Sequence, residues 1–128
     1  MFARKVAALI RPNSLPEFTN LIECEILPWL RKQEGFLDLI TLAVPDRNEV
    51  TTISFWDRQT NAESYNTAGY PEVLEILGRL LDGTPYVKTF DVVSSTLRRV
   101  APLRSSEAEH LPEAGSTQLG YRSTETTV

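Results

Sequence analysis

Thr52, Ser54 and Trp56 alternate along one apolar segment, and Tyr65 and Tyr70 follow closely. Alternate residues of a strand share a face, so two hydroxyls are expected beside the Trp56 indole. An indole can wall an apolar pocket and donate one hydrogen bond to an aromatic molecule. A tyrosine hydroxyl can orient a phenol or, once ionised, take its proton. Thr52, Ser54, Trp56, Tyr65 and Tyr70 are therefore the candidate substrate pocket, with no catalytic residue assigned among them. Each also has a plainer reading. Trp56 can anchor a strand end in the core, the tyrosines can be buried rings with one satisfied hydroxyl, and Thr52 and Ser54 are ordinary on a half-exposed strand.

Other chemistries find little support. Cys24 lies between Glu23 and Glu25 on a predicted helix, where neighbours point apart, and no histidine or second cysteine is near. It is expected to be a small buried or half-buried side chain. The single histidine, His110, lies far downstream. No Gly-rich phosphate loop, acidic metal cluster or nucleophile–base pair is present. Neither a cofactor nor a metal is expected.

The elements that would position these residues can be read from periodicity and breakers. Phe2 to Arg11 predicts a strand, and Pro12-Asn13-Ser14 ends it and starts a helix. Leu15, Phe18, Leu21/Ile22, Ile26 and Trp29/Leu30 recur at helical spacing over about 16–33. Pro28 inside that stripe predicts a kink near Cys24 and Glu25, and Gly35 a left-handed C′ position. Strands are expected at Phe36–Val44 and Val50–Trp56, joined by a turn at Pro45-Asp46-Arg47-Asn48. Thr60 and Glu63 have capping-box spacing. The helix they start is interrupted at Gly69-Tyr70-Pro71, resumes with Val73, Leu74, Ile76, Leu77, Leu80 and Leu81, and stops at Asp82-Gly83. Tyr86 to Leu97 predicts the last strand. The order is β-α-β-β-α-β, an α+β ferredoxin-like sandwich with helices on one face of an antiparallel sheet.

Composition bounds the class. The 128 residues, 41% hydrophobic and 23% charged, are those of one soluble globular domain. The net charge is −4 and the pI about 5.0. Basic residues adjoin only at Arg4-Lys5, Arg31-Lys32 and Arg98-Arg99, so no basic face points to nucleic acid. Apolar runs are too short to span a membrane or to form a signal peptide. One cysteine cannot make an intrachain disulfide, which fits a reducing cytoplasm. Residues 1–101 are expected to form the domain. The Ser-, Thr-, Glu- and Gly-rich stretch 102–128 reads as a disordered tail, or as an arm packing on a partner subunit.

In the first strand Val6, Ala8 and Ile10 oppose Ala7 and Leu9, and in the second Leu37 and Leu39 oppose Ile40 and Leu42. A sheet apolar on both sides needs two covers. The helices supply one, and a second copy of the chain is the economical other, so a homodimer is expected.

Gln33-Glu34-Gly35-Phe36, the strand end Ser54-Phe55-Trp56-Asp57 and Ala62-Glu63-Ser64-Tyr65 in the following helix give the chain a specific likeness. Over residues 2–98 it resembles the antibiotic biosynthesis monooxygenase domain family of the dimeric α/β-barrel superfamily. That resemblance implies two sheets packed face to face into a barrel, with a cavity in each subunit between sheet and helices. The superfamily includes cofactor-free oxygenases of phenols and quinols, haem-degrading enzymes and proteins without known activity. Quinol oxygenases and haem degraders of this kind often carry a histidine in the second helix, where this chain reads Ala62-Glu63-Ser64-Tyr65-Asn66-Thr67. The haem-degrading branch has an asparagine in the first strand, where this chain has Arg4-Lys5-Val6-Ala7-Ala8. Haem held through an imidazole is therefore not expected.

Two functions follow. One is a cofactor-independent monooxygenase acting on a small phenolic or quinol-like aromatic. The other is a non-catalytic dimeric α/β-barrel protein binding a small apolar ligand. An open cavity lined by Trp56 and Tyr65 with a polar group in reach favours the first, and a filled interior favours the second.

Overall fold

The computed structural model describes residues 1–97. Met1–Asp91 form one compact unit and Val92 begins a second, of which residues 92–97 are described and lie in neither helix nor strand. The segment read above as a tail, 102–128, lies outside the described residues.

The elements run β1 (Phe2–Leu9), α1 (Leu15–Leu21), a π-helical turn (Ile22–Ile26), α2 (Leu27–Arg31), β2 (Phe36–Val44), a 3-10 turn (Pro45–Arg47) and β3 (Glu49–Trp56). They continue with α3 (Gln59–Ala68), α4 (Tyr70–Leu77), a second 3-10 turn (Gly78–Leu80) and β4 (Tyr86–Asp91). The strands form one antiparallel sheet in the order β2-β3-β1-β4. This is the ferredoxin-like β-α-β-β-α-β arrangement that the spacing predicts. Among the described residues no helix is long and apolar enough to cross a membrane.

The first helix shows why its apolar spacing holds. Phe18, Ile22, Ile26 and Leu30 are its buried residues, four apart each time. Three steps of four drift by about 120° round an α-helix of 3.6 residues per turn. The wider π turn takes up that drift and keeps all four on the core side. It also makes room for Pro28, whose ring would otherwise crowd the Cys24 carbonyl. The departure from α geometry thus falls at the expected place, as a π turn. Cys24 is exposed there rather than buried or half-buried, because the residues filling the core lie two to either side of it.

Three other expectations are corrected. Gly35 does have φ +83°, but the helix C-cap is Lys32, so Gly35 belongs to the turn into β2. Thr60 and Glu63 form no capping box. The N-cap of α3 is Arg58, without a side-chain bond, and Glu63 instead accepts from Gln59 Nε2 at 2.8 Å. The last strand ends at Asp91, not Leu97, because Asp91 pairs with Phe2, where β1 begins. Beyond that pair the ladder has no partner.

The inner sheet face carries Arg4, Val6, Thr52 and Ser54 in register. Above it Phe18, Ile22, Ile26, Leu30, Tyr65, Val73 and Leu77 close the core. The outer face holds Leu9, Leu42, Val44, Tyr86 and Phe90, each 41–62% exposed. The sheet is apolar on both sides.

Gly35 ties the β2 turn to the start of α3. Its carbonyl accepts from the Asp57 amide at 2.9 Å, and Asn61 Nδ2 donates to Asp57 Oδ1 at 2.8 Å. A Cβ on Gly35 would overlap Asp57 Oδ1 and come 2.7 Å from Asn61 Cβ. Gly83 has φ +98° with open space around it. Gly35→Ala is expected to lower stability by roughly 2–4 kcal/mol, and Gly83→Ala by only about 1 kcal/mol. Urea unfolding checks this; equal losses would show that Gly35 is not closely packed.

Candidate functional site

A cavity of about 590 Å³, counting its mouth, lies between the inner sheet face and the helices. Its wall is mostly apolar. The polar groups reaching it are Arg4, Thr52, Ser54, Tyr65 and Tyr70. Four of the five residues singled out from the sequence thus line one space.

Trp56 does not line it. The indole is 0% exposed and stands behind the wall. Its Nε1 donates to Ser54 Oγ at 2.9 Å, and Ser54 Oγ donates to the Arg4 carbonyl at 3.4 Å. Phe36 meets it edge-on at 5.6 Å, and the Tyr65 ring stacks on it at 5.0 Å. The alternation rule placed Trp56 on the correct face, but the end of β3 lies under the α3 start rather than under the cavity. Its contribution is to hold Ser54 and Tyr65.

Tyr65 and Tyr70 lie either side of the break between α3 and α4, with ring centroids 6.2 Å apart. Gly69 between them has a steric reason to be glycine. A Cβ there would fall 2.7 Å from the Tyr65 ring. The Gly69 carbonyl also accepts from Trp29 Nε1 at 3.3 Å. The helix break therefore lets both rings turn to one side.

The residue that the sequence reading missed as a site group is Arg4. It is 3% exposed, in a strand otherwise apolar on that face. Its Nη2 donates to Asn66 Oδ1 at 2.6 Å. Its guanidinium carbon lies 4.0 Å from the Tyr70 ring centroid and 5.3 Å from that of Tyr65. Among the described residues no carboxylate forms an ion pair with it. The signal was available: carrying the Val6, Ala8 alternation back two residues puts Arg4 on the inner face.

Burial disfavours the charged form of every titratable group here. It pushes the Tyr65 hydroxyl up to about 12, with the Arg4 charge pulling only partly the other way. It raises Tyr70 too, again against Arg4. Burial also lowers the pKa of Arg4, although a guanidinium keeps its proton in proteins. At neutral pH the cavity therefore presents one cation and two neutral phenol donors. Neither tyrosine is poised as a base.

Among the described residues no group of three or more His, Cys, Asp or Glu is placed to hold a metal ion. Haem needs an imidazole, thiolate or tyrosinate on its iron. Residues 1–97 contain no histidine, Cys24 is exposed and burial holds Tyr65 protonated. Among the described residues no imidazole is available to haem, and burial disfavours a tyrosinate at Tyr65 and Tyr70.

No family model matches the sequence, and no curated protein matches it. Solved structures do match. A monooxygenase from the gene ActVA-Orf6 of Streptomyces coelicolor, solved with nanaomycin D, superposes with a TM-score of 0.64 at 21% identity, over 77% of this chain and 92% of that one. SnoaB, a cofactor-independent oxygenase from Streptomyces nogalater, gives 0.59 at 14%, over 76% and 97%. MhuD, solved with manganese protoporphyrin IX, gives 0.59 at 15%, over 75% and 98%.

The tyrosine environment can be tested directly. An unfolded tyrosine ionises near 10.0 and Tyr65 in the folded chain near 12. Between those values the unfolded state releases the proton first, so stability present below pH 10 falls as pH rises toward 12. Tyr65→Phe is expected to lose less stability than wild type over that window and to remove the last tyrosinate absorbance to appear. Parallel stability losses would contradict the buried setting of Tyr65.

The likeness at such low identity concerns the fold, and it agrees with the signature read from Gln33 to Tyr65: this chain has the fold of the antibiotic biosynthesis monooxygenases.

Proposed function

We propose that the protein is a cytoplasmic, cofactor-independent monooxygenase of a small phenolic or quinol-like aromatic, working as a homodimer. The carrying observation is the cavity itself: apolar walls, two neutral tyrosine hydroxyls and one buried cation around one space between sheet and helices. The two oxygenases of the same fold support the reading.

The chemistry asks little of side chains beyond this. An ionised phenol can itself give an electron to O2. Recombination forms a bond from one oxygen to a ring carbon, and the O–O bond then breaks as that carbon loses its proton. One oxygen atom stays as the new quinone carbonyl and the other leaves as water. A phenol and O2 thus become a quinone and water, with all four electrons from the ring. The protein has to exclude solvent, orient the ring and favour its anion. Tyr65 and Tyr70 are the donors for orientation, Thr52 and Ser54 flank them, and Trp56 holds the Tyr65 ring.

A second reading, a barrel that binds a small apolar ligand without turnover, is favoured by one observation. The cavity's titratable groups, Arg4, Tyr65 and Tyr70, include no base at neutral pH. Aerobic and anaerobic incubation with a panel of phenols and hydroquinones separates the two. Turnover is expected to consume one O2 per substrate molecule and to fall at least about tenfold in Trp56→Ala, which lets the Tyr65 ring move. Tight binding of the panel with no oxygen uptake would favour the second reading.

For the dimer, the support is the outer sheet face with Leu9, Leu42, Val44, Tyr86 and Phe90 exposed together. Sedimentation is expected to give twice the chain mass at micromolar concentration, and Leu42→Glu with Phe90→Glu to give the monomer. A wild-type monomer at all concentrations would contradict it.

A further inference from the structure

We infer that the cavity recognises the anionic form of its ligand, a small planar aromatic with one charged oxygen group, and that Arg4 is the residue that reads that charge. This rests on the cavity being the substrate pocket but not on the oxygen chemistry. Arg4 is 3% exposed, and it lies in the wall of a mostly apolar space. Isolated charges are rarely left so, because burial without a counter-charge is costly and is normally answered by a carboxylate. Here no carboxylate among the described residues pairs with it. Asn66, which is itself exposed, supplies one neutral acceptor, and the rings of Tyr70 and Tyr65 supply their faces. These contacts orient the cation without neutralising it.

The counter-charge that no described residue supplies is what a ligand would bring. The guanidinium is a planar fork of donors suited to a charged oxygen. Tyr65 and Tyr70, kept protonated by burial, can each donate to that oxygen as well, so they add to the same preference. The acceptors in the lining are neutral hydroxyls and no carboxylate is among them, so a cationic head would find no counter-charge there and would meet the Arg4 cation. Two chemical sources give the same anion: a carboxylate substituent on the ring, or the ring hydroxyl itself in its ionised form. In the second case Arg4 would lower the pKa of the bound phenol and so replace the base that the cavity lacks.

The test is equilibrium binding to the full chain without oxygen, by calorimetry at mildly alkaline pH. The probes are 4-nitrophenol (ionised under these conditions), 4-nitrobenzoate and neutral 4-nitroanisole. At least one anion is expected to bind about 10–100-fold more tightly than the neutral probe. That advantage is expected to vanish in Arg4→Gln and to survive in part in Arg4→Lys. A preference for nitrophenolate identifies the ionised hydroxyl, and one for nitrobenzoate a carboxylate substituent; either supports the inference. Anions binding no better than 4-nitroanisole, or an advantage unchanged in Arg4→Gln, would overturn it. If Arg4→Gln does not fold, the ratio of anion to neutral affinity in the wild type and in Arg4→Lys decides. Equal binding of all probes with oxygen uptake intact would remove this inference alone. Anion binding without oxygen uptake would remove only the monooxygenase reading.

Discussion

A cation that cannot lose its proton, held in a mostly apolar cavity wall, is the constraint around which the candidate site is arranged. Arg4 sits on the inner face of β1 between Phe2 and Val6, and its backbone and side chain take part in different contacts. The Arg4 carbonyl accepts from Ser54, which in turn accepts from the Trp56 indole. The guanidinium rests against Tyr70 and Tyr65, and Tyr65 stacks on Trp56. Strand β1, strand β3 and the junction of α3 with α4 are therefore linked through one polar and aromatic cluster. Such a cluster favours a single arrangement of its members, because each ring is fixed by the next.

Much of this was legible in the sequence, and the reasons for the rest are specific. Two-residue alternation found the inner face of β3, and four-residue spacing found the buried stripe from Phe18 to Leu30. Gly35 was recognisable because a turn there demands positive φ. Thr60 and Glu63 matched a capping box only as a pattern, since the helix starts earlier with Arg58 as its N-cap and Glu63 accepts from Gln59. The π turn left no composition mark beyond Pro28. The last strand was overextended because its end depends on where β1 begins, a long-range fact. Arg4 was seen as half of a charged pair with Lys5, although those neighbours point to opposite faces.

The fold by itself leaves the chemistry open, since it is shared with two oxygenases and with a protein solved bound to a manganese porphyrin. Local residues separate these cases. Residues 1–97 contain no histidine, and burial favours the protonated forms of Tyr65 and Tyr70. The combination of a buried guanidinium with neutral phenol donors instead favours a small anion. The break at Gly69, which packs against the Tyr65 ring, sets Tyr65 and Tyr70 on the side of Arg4.

The most direct measurement of this account is the stability of Arg4→Met by urea unfolding. Methionine fills similar volume without charge, and Asn66 is exposed enough to hydrate. If Arg4 is kept for a ligand rather than for folding, the free variant should be within about 1 kcal/mol of wild type, or more stable. A loss of about 3 kcal/mol or more would contradict the account and make Arg4 a structural residue.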